Sequence, residues 1–535
     1  MTVFTTRWLT SKLSFTIMVV LTGGLVLSLF LKARWLWMDE VISYVLLTDP
    51  SLAHTNQSVV SGLDANPPLS MDVYWLLGHS ISLSPMFLRS VSAVFFATTV
   101  TLFYRYVTQM LGRPAVNFVV ITLFVCFTYL NLSLATQVRS YALFALLHLL
   151  FFLNSHRLAL DPTRRGRLLA ELVLGTAVVY THNFGLLYVA TMAAFFAGLA
   201  WWSGRRAYWA VLGTLAGVGV LWFVGWFANF RVQSLAGKPH SWIPLPTVGS
   251  FFRTVGELLP SLSAHLEASR YLQFLPALRV FSIVGLLFYL GVPRLRQGYA
   301  ALIKDPAGLF LVQAGFVAVG TTVLALMASF TVVSVFLNRY LWPNHLLFAY
   351  VAVYAYHYYF RAGQVPARRF LLPAYAALLL PFIAYQNRKV VIFPSGILAY
   401  LPALDPRYPV FFESADYFLP IWYQHLHPNA RFLLDWPVAL RSPALNSTVD
   451  YNILASLRDK YHVPQVVPLA QFDAARFPRF YVVDEHARYL IEPFLQSGQV
   501  RVLRTIPTAI VGHQILECTF ASLTALLRVL PLIKL

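Results

Sequence analysis

Negative charge is what this chain has least of. Among 535 residues there are 21 Asp and Glu against 40 Lys and Arg, and only 11% of positions are charged while 58% are hydrophobic. That balance lies outside the range of soluble globular domains and excludes an ordinary water-soluble enzyme. Cysteine is nearly absent. Cys126 and Cys518 alone provide neither a disulfide framework nor the spacing of a thiolate metal site. The formal charge of +19 invites a nucleic-acid reading. The basic residues, however, sit in short separate loops with no binding motif, so no nucleic-acid partner is expected.

Long apolar runs dominate what is present. Eleven segments approach the roughly 20 residues that cross a bilayer. They fall at about 13–33, 87–110, 114–135, 139–155, 168–182, 183–203, 207–230, 276–293, 307–331, 340–360 and 369–386. The first follows Arg7 and Lys12 as a signal peptide would, but no small-residue cleavage site comes after it, so it reads as a retained helix. With the N-terminus inside, Arg113, Arg157, Arg164, Arg165, Arg167, Arg205, Arg206, Arg294, Arg296, Lys304, Arg361, Arg368 and Arg369 all fall in cytoplasmic connections. Two long loops, 34–85 and 231–275, and everything beyond 386 are then extracytoplasmic. The expected fold is a polytopic α-helical membrane domain over 1–386 with an extracytoplasmic α/β domain over 387–535.

The first outer loop reads as two surface-lying helices. Asn66 is a natural N-cap and Pro67 suits a first helical position, followed by an apolar stripe at Leu69, Val73, Leu76 and Leu77. Beyond 386 the period changes. Residues 389–393, 431–434 and 480–483 read as buried strands, and 451–461 and 487–496 as helices between them. That alternation favours a small α/β domain. It contains no Gly-rich phosphate loop and no nucleophile motif. The last fifteen residues are apolar but broken by Pro531, and read as lying back on the membrane.

The polar residues at the outer span ends define the chemistry. They are Asp39 and Glu40, Gln137 and Arg139, His182 and Asn183, and Asn338 and Arg339; the second loop adds Lys238, His240, Glu257, His265, Glu267 and Arg270. Carboxylate, histidine and arginine at the mouth of an apolar bundle suit transfer of a sugar from a polyprenyl phosphate. A carboxylate takes the acceptor proton, and cations hold the departing phosphate.

Five stretches in order carry a family resemblance: WMDEVISY, NPPLSMDVYWLLGHS, QVRSYALFALL, VVYTHNFGLLYVA and NRYLWPNHLLFAY. Over 1–386 the chain resembles the GT-C superfamily of polyprenyl-phosphate-sugar-dependent glycosyltransferases, especially the protein O-mannosyltransferase and lipid A aminoarabinose transferase branches. The resemblance implies an inverting membrane glycosyltransferase of the cell envelope, with Asp39 as general base and Glu40 beside it. Arg139 and Arg339 become candidates for the donor phosphate. His182, Tyr141, Tyr340, Asn66, Asp72, Lys238, His265, Glu267 and Arg270 complete the expected substrate-binding set. The family often has His where this chain has Asn66. Some members use a divalent metal and others none, and the sequence leaves that open. A polyprenyl-phosphate-linked sugar donor, membrane lipids, and a lipid, glycan or protein acceptor are the expected partners, in a bacterial plasma membrane.

Other readings stand beside these. Asp39 and Glu40 also suit a helix N-terminus, and Arg139 and Arg339 suit interfacial anchors. Asp72 also fits a solvated face. A flippase of a lipid-linked sugar, or a non-catalytic assembly protein with the same fold, would share the architecture. Transporters, however, place ionisable groups near mid-depth, where this chain has almost none. Asn131-Leu132-Ser133 and Asn446-Ser447-Thr448 match glycosylation acceptors.

Overall fold

The computed structural model describes residues 2–31, 35–236, 242–261, 272–359, 371–388, 395–441, 448–485 and 490–521. The chain divides into two compact units. One comprises Met1–Ala33, Asn66–Phe230 and Leu245–Val390; the other comprises Arg34–Ala65, Arg231–Pro244 and Val391–Leu535.

The first unit is helical throughout. Every one of the eleven apolar segments falls on a helix, and seven are long and apolar enough to cross a membrane: Arg7–Leu31, Pro85–Leu111, Tyr141–Leu160, Gly185–Ser203, Ala207–Leu235, Leu275–Arg296 and Pro306–Thr331. The expected 114–135 span is broken into Pro114–Cys126 and Tyr129–Leu134, and the other segments correspond to Arg165–Thr181, Asn344–Tyr359 and Leu371–Arg388. Several starts follow from local chemistry. Ser84 accepts a bond from the Phe87 amide at 3.2 Å ahead of Pro85, and Asp305 accepts one from Gly308 at 3.0 Å ahead of Pro306. Each thus combines a side-chain cap with a proline whose missing N–H costs nothing at that position. Large side chains on these helices face outward, such as Phe15 at 72% and Val224 at 79% exposure. Apolar surface on that scale requires lipid. The chain is a multi-pass integral membrane protein.

Inside the helical unit, two groups of buried polar side chains are tied together. Asn131 donates to the Val125 carbonyl at 2.8 Å and to His345 Nε2 at 2.8 Å, while its oxygen accepts from Trp342 Nε1 at 2.6 Å. His345 Nδ1 bonds the Leu258 carbonyl at 2.8 Å. Asn131 is therefore a buried junction and no surface glycosylation acceptor; Asn446 lies outside the described residues. Glu171, also buried, accepts from Asn154 at 2.6 Å and from the Ser155 hydroxyl.

The first outer loop holds three helices where the sequence suggested two: Met38–Leu47, Leu52–Val60 and Leu69–Ser80. The third begins two residues later than expected. Pro68 occupies its cap and Pro67 lies outside, because a residue preceding proline is pushed out of the α region. Asn66 is consequently no N-cap; it is buried ahead of the helix. The inward face is Ser70, Met71, Tyr74 and Gly78, leaving Leu76 of the expected stripe exposed.

The second unit carries a six-stranded sheet. Its strands are β1 (Val410–Phe412), β2 (Ala430–Leu434), β3 (Val466–Pro468), β4 (Arg479–Glu485), β5 (Val500–Pro507) and β6 (His513–Phe520). Their order is β3-β2-β1-β4-β6-β5, parallel through β4 and antiparallel beyond it. The expected strands at 431–434 and 480–483 correspond to β2 and β4, and the expected helix at 451–461 to Thr448–Tyr461. The second expected helix is described as Glu492–Gln496. The expected strand at 389–393 and residues 522–535 lie outside the described residues. Phe411, Phe472, Phe480, Leu490, Leu516 and Cys518 fill one face of the sheet. The β5 edge is mostly exposed and carries Arg501 and Arg504, charges that discourage edge pairing.

Replacing Asn131 by Ala orphans the Trp342 indole N–H and a ring nitrogen of His345, at about 1–3 kcal/mol for each buried group. Thermal unfolding in detergent is expected to fall clearly for Asn131→Ala, and less for a Ser133→Ala control at the half-buried neighbouring position.

Candidate active site

In the helical unit, turns between consecutive spans deliver the polar residues. The Arg165–Thr181 helix ends at His182, and the next begins at Gly185. The turn is tight: the Gly185 amide donates to the His182 carbonyl at 2.8 Å, and a Cβ on Gly185 would stand 2.5 Å from the Val178 carbonyl oxygen. Only glycine tolerates that approach. The turn directs His182 inward, where it is 3% exposed.

Aromatic rings surround that imidazole. It stacks on Phe144 at 5.1 Å and packs against Tyr340 at 5.0 Å, Phe184 at 6.1 Å and Tyr141 at 6.2 Å. The Arg339 guanidinium lies over the Tyr141 and Tyr340 rings at 6.0 and 5.7 Å. His182 Nδ1 accepts the Phe184 amide at 3.1 Å, which assigns the proton of the neutral ring to Nε2. Nε2 is buried and meets no partner among the described residues. Arg139 and Arg339 lie close enough for their charges to act on the buried imidazole. The ring therefore stays neutral and presents an N–H donor beside two guanidinium groups.

Supporting bonds hold the neighbouring turns. Arg339 and Tyr340 precede the Asn344–Tyr359 helix rather than beginning it, since Pro343 fits the position just before the helix and its predecessors stay in turn. The Arg339 amide donates to Asn338 Oδ1 at 2.6 Å, and the Asn338 side-chain amide bonds the Glu257 carboxylate. Arg139 sits two residues ahead of the Tyr141–Leu160 helix. The turn carrying it is tied back through Gln137, whose carbonyl accepts the Ser92 hydroxyl at 2.7 Å; Ser92 in turn bonds Tyr74 at 2.7 Å. Asp72 lies in the first turn of the helix bearing Tyr74.

The structure thus brings Arg139, Tyr141, His182, Arg339 and Tyr340 together around one imidazole. Asn66 and Asp72 belong to the same unit. Lys238, His265, Glu267 and Arg270 lie outside the described residues. Asn338 was legible only as a polar residue at a span end and Glu257 only as one in the second long loop; their bond spans 81 positions and no local pattern announces it.

Asp39 and Glu40 belong to the other unit. They occupy the first turn of Met38–Leu47, where the helix dipole favours negative charge. Glu40 is 1% exposed and Asp39 only partly buried, so Asp39 is the more accessible carboxylate. The same unit contains one acidic cluster among its described residues. Glu413, Asp484 and Glu492 bring carboxylate oxygens within 4.8 Å of one another. Glu413 accepts the Glu485 and Ile491 amides at 2.9 and 3.1 Å, and burial holds its pKa well above the usual carboxylate range.

No family model matches the chain, and no curated protein matches it. Among solved structures it is similar to ArnT from Cupriavidus metallidurans in the apo state, with 12% identity and a TM-score of 0.47 over 95% of this chain and 98% of that one. It is also similar to the same protein bound to undecaprenyl phosphate, with 12% identity and a TM-score of 0.45 over 96% of this chain and 99% of the other.

Gly185→Ala places a methyl group against a backbone oxygen that cannot move aside. The variant is expected to unfold at lower temperature, and ring-selective NMR of His182 should report a displaced imidazole; an unchanged His182 signal would show that the turn does not set its position.

Proposed function

We propose that this chain is a membrane glycosyltransferase that takes its sugar from a polyprenyl phosphate. The observation carrying the reading is the neutral His182, which offers a buried Nε2–H beside Arg139 and Arg339 in a cage of aromatic rings. A desolvated donor flanked by two cations fits a phosphate monoester or diester oxygen. The five sequence stretches that resemble GT-C transferases contain all five residues of this group and Asp39 besides.

In the reaction proposed, the acceptor hydroxyl attacks the anomeric carbon from the face opposite the phosphate. The new bond forms between the acceptor oxygen and that carbon. The bond from the carbon to the phosphate oxygen breaks, and its electron pair leaves with the polyprenyl phosphate. The acceptor proton passes to Asp39, and the configuration inverts. Arg139, Arg339 and His182 hold the charge that develops on the departing phosphate. Glu40 supports the first turn of the carboxylate helix. The acceptor is a lipid, glycan or protein, and the reaction proceeds on the outer face of a bacterial plasma membrane, with both long loops and the C-terminal unit on that side.

A transport reading gains less support. Glu171, the most buried carboxylate among the described residues of the helical unit, is bonded to both Asn154 and Ser155 and so is already satisfied.

Two variants separate the roles. In membranes supplied with radiolabelled polyprenyl-phosphate sugar, Asp39→Asn should abolish transfer and leave donor binding intact. His182→Phe keeps the ring packing but removes the N–H, and should weaken polyprenyl phosphate binding by about tenfold or more, roughly 1.4 kcal/mol. Full transfer by Asp39→Asn would remove the base from the mechanism. For sidedness, single cysteines replacing Ser61 and Asp450 should react with an impermeant thiol reagent from outside, and one replacing Arg165 only after the membrane is opened.

A further inference from the structure

The helix bearing Asp39 and Glu40 starts without a side-chain cap. Trp37, its N-cap residue, is extended and offers no such bond, and the two residues before it have no regular structure. A short helix after an irregular lead-in is placed more firmly when a side chain grips that lead-in. Gln424 does so. Its side-chain oxygen accepts the Leu36 amide at 2.8 Å, and its amide nitrogen donates to the Leu36 carbonyl at 3.1 Å. Both bonds fall on one residue, as neighbouring strands bond each other, so the position and the rotation of Leu36 are fixed together. The second hydrogen of the Gln424 amide goes to the Pro420 carbonyl at 3.0 Å, which stops the side chain from turning away. Leu36 itself is buried.

The far end of this grip is rigid. Gln424 closes the Ala415–Tyr423 helix, which follows β1 and packs Phe418 onto Phe432 of β2 at 5.8 Å. From Leu36 onward the path to the carboxylate is short and bonded. The Val41 amide returns to the Trp37 carbonyl at 2.9 Å, and the Ser43 hydroxyl bonds the Asp39 carbonyl at 3.2 Å.

We propose that Gln424 is a positioning residue that fixes the start of the Asp39–Glu40 helix from the sheet-bearing unit, making that unit part of the catalytic apparatus. The proposal rests on Asp39 acting as the base. Glutamine is suited to the task because it supplies one acceptor and two donors at once. Asparagine is one methylene too short to make both bonds, and an ionised glutamate would turn an oxygen toward the Leu36 carbonyl.

The test uses the full chain in nanodiscs, with Gln424→Leu, Gln424→Asn and Gln424→Glu, and Asp39→Asn measured alongside. Hydrogen exchange over residues 35–38 reads the grip itself, without reference to activity. In Gln424→Leu the Leu36 amide should exchange about 100-fold faster while β1 and β2 stay protected. Misplacement of the base should lower kcat about tenfold or more, with KM for donor changed less than about twofold. The acid limb of the kcat profile should also move, and Gln424→Asn should recover at most part of the loss. A merely structural role would lower the unfolding temperature and the active fraction together and leave that limb in place, overturning the proposal. Unchanged exchange at Leu36 would overturn it too, as would fast exchange with unaltered kcat. Full activity in Asp39→Asn would instead defeat the base assignment, and the positioning role would fall with it, even with the grip intact by exchange.

Discussion

A single hydrogen bond governs the candidate phosphate site: the Phe184 amide donating to His182 Nδ1. It uses the ring's one lone pair, assigns the proton to the opposite nitrogen, and turns that nitrogen into the donor of the group. The bond exists because Gly185 lets the chain reverse against the Val178 carbonyl within three residues. Were the ring free to choose its tautomer, burial beside two guanidinium groups would leave no reason for it to donate. An anion-holding site in an apolar bundle needs donors already aimed, because no water is there to reorient. The aromatic rings around His182 help by keeping the imidazole neutral and its orientation fixed.

The same economy of polar groups runs through the helical unit. Asn131, Trp342, His345 and Leu258 satisfy one another, as do Glu171, Asn154 and Ser155. A buried polar atom without a partner costs free energy, so sequences that place many such atoms in a bundle normally pair them. The Nε2 of His182 is one of several buried polar atoms of that unit without a hydrogen-bond partner, Trp222 Nε1 and Trp226 Nε1 among them; what distinguishes it is the pair of arginines whose charges act on its ring. His148 Nε2 is likewise buried without a partner, but it packs on Tyr188 within the bundle with no arginine beside it.

How much of this could be read from the sequence follows from how local each determinant is. The apolar spans were legible because a bilayer sets their length and composition, and each segment proved helical. Arg139, Tyr141, His182, Arg339 and Tyr340 could be named from the sequence because each sits near a span end, but nothing local says that these rings and charges meet around His182. Boundaries slipped where backbone stereochemistry intervened, as at Pro67-Pro68, which delays a helix, and at Pro343, which leaves Arg339 and Tyr340 in a turn. The short strands β1 and β3, three residues each, were too brief to show a period, and β5 hides its alternation beneath exposed charges. The bonds from Asn338 to Glu257 in one unit and from Gln424 to Leu36 in the other join residues 81 and 388 positions apart and leave no mark in any local window.

That last separation explains why the chain is organised as it is. The carboxylate proposed as the base draws little rigidity from its own loop, since a ten-residue helix between irregular segments has little of its own. Burying the loop in the bundle would rob the carboxylate of access, as the contrast between Glu40 and Asp39 already indicates on a small scale. A folded sheet can supply the rigidity instead, because its parallel strands and packed phenylalanines define positions to within a bond length. Residues 34–65 cluster with the C-terminal sheet rather than with the spans they lie between in sequence. A second glutamine, Gln233, donates to the carbonyls of Val59 and Asp64 at 3.3 and 2.9 Å. The loop is therefore gripped near both of its ends by side chains from elsewhere in its own unit, and the carboxylates ride on the span between the two grips.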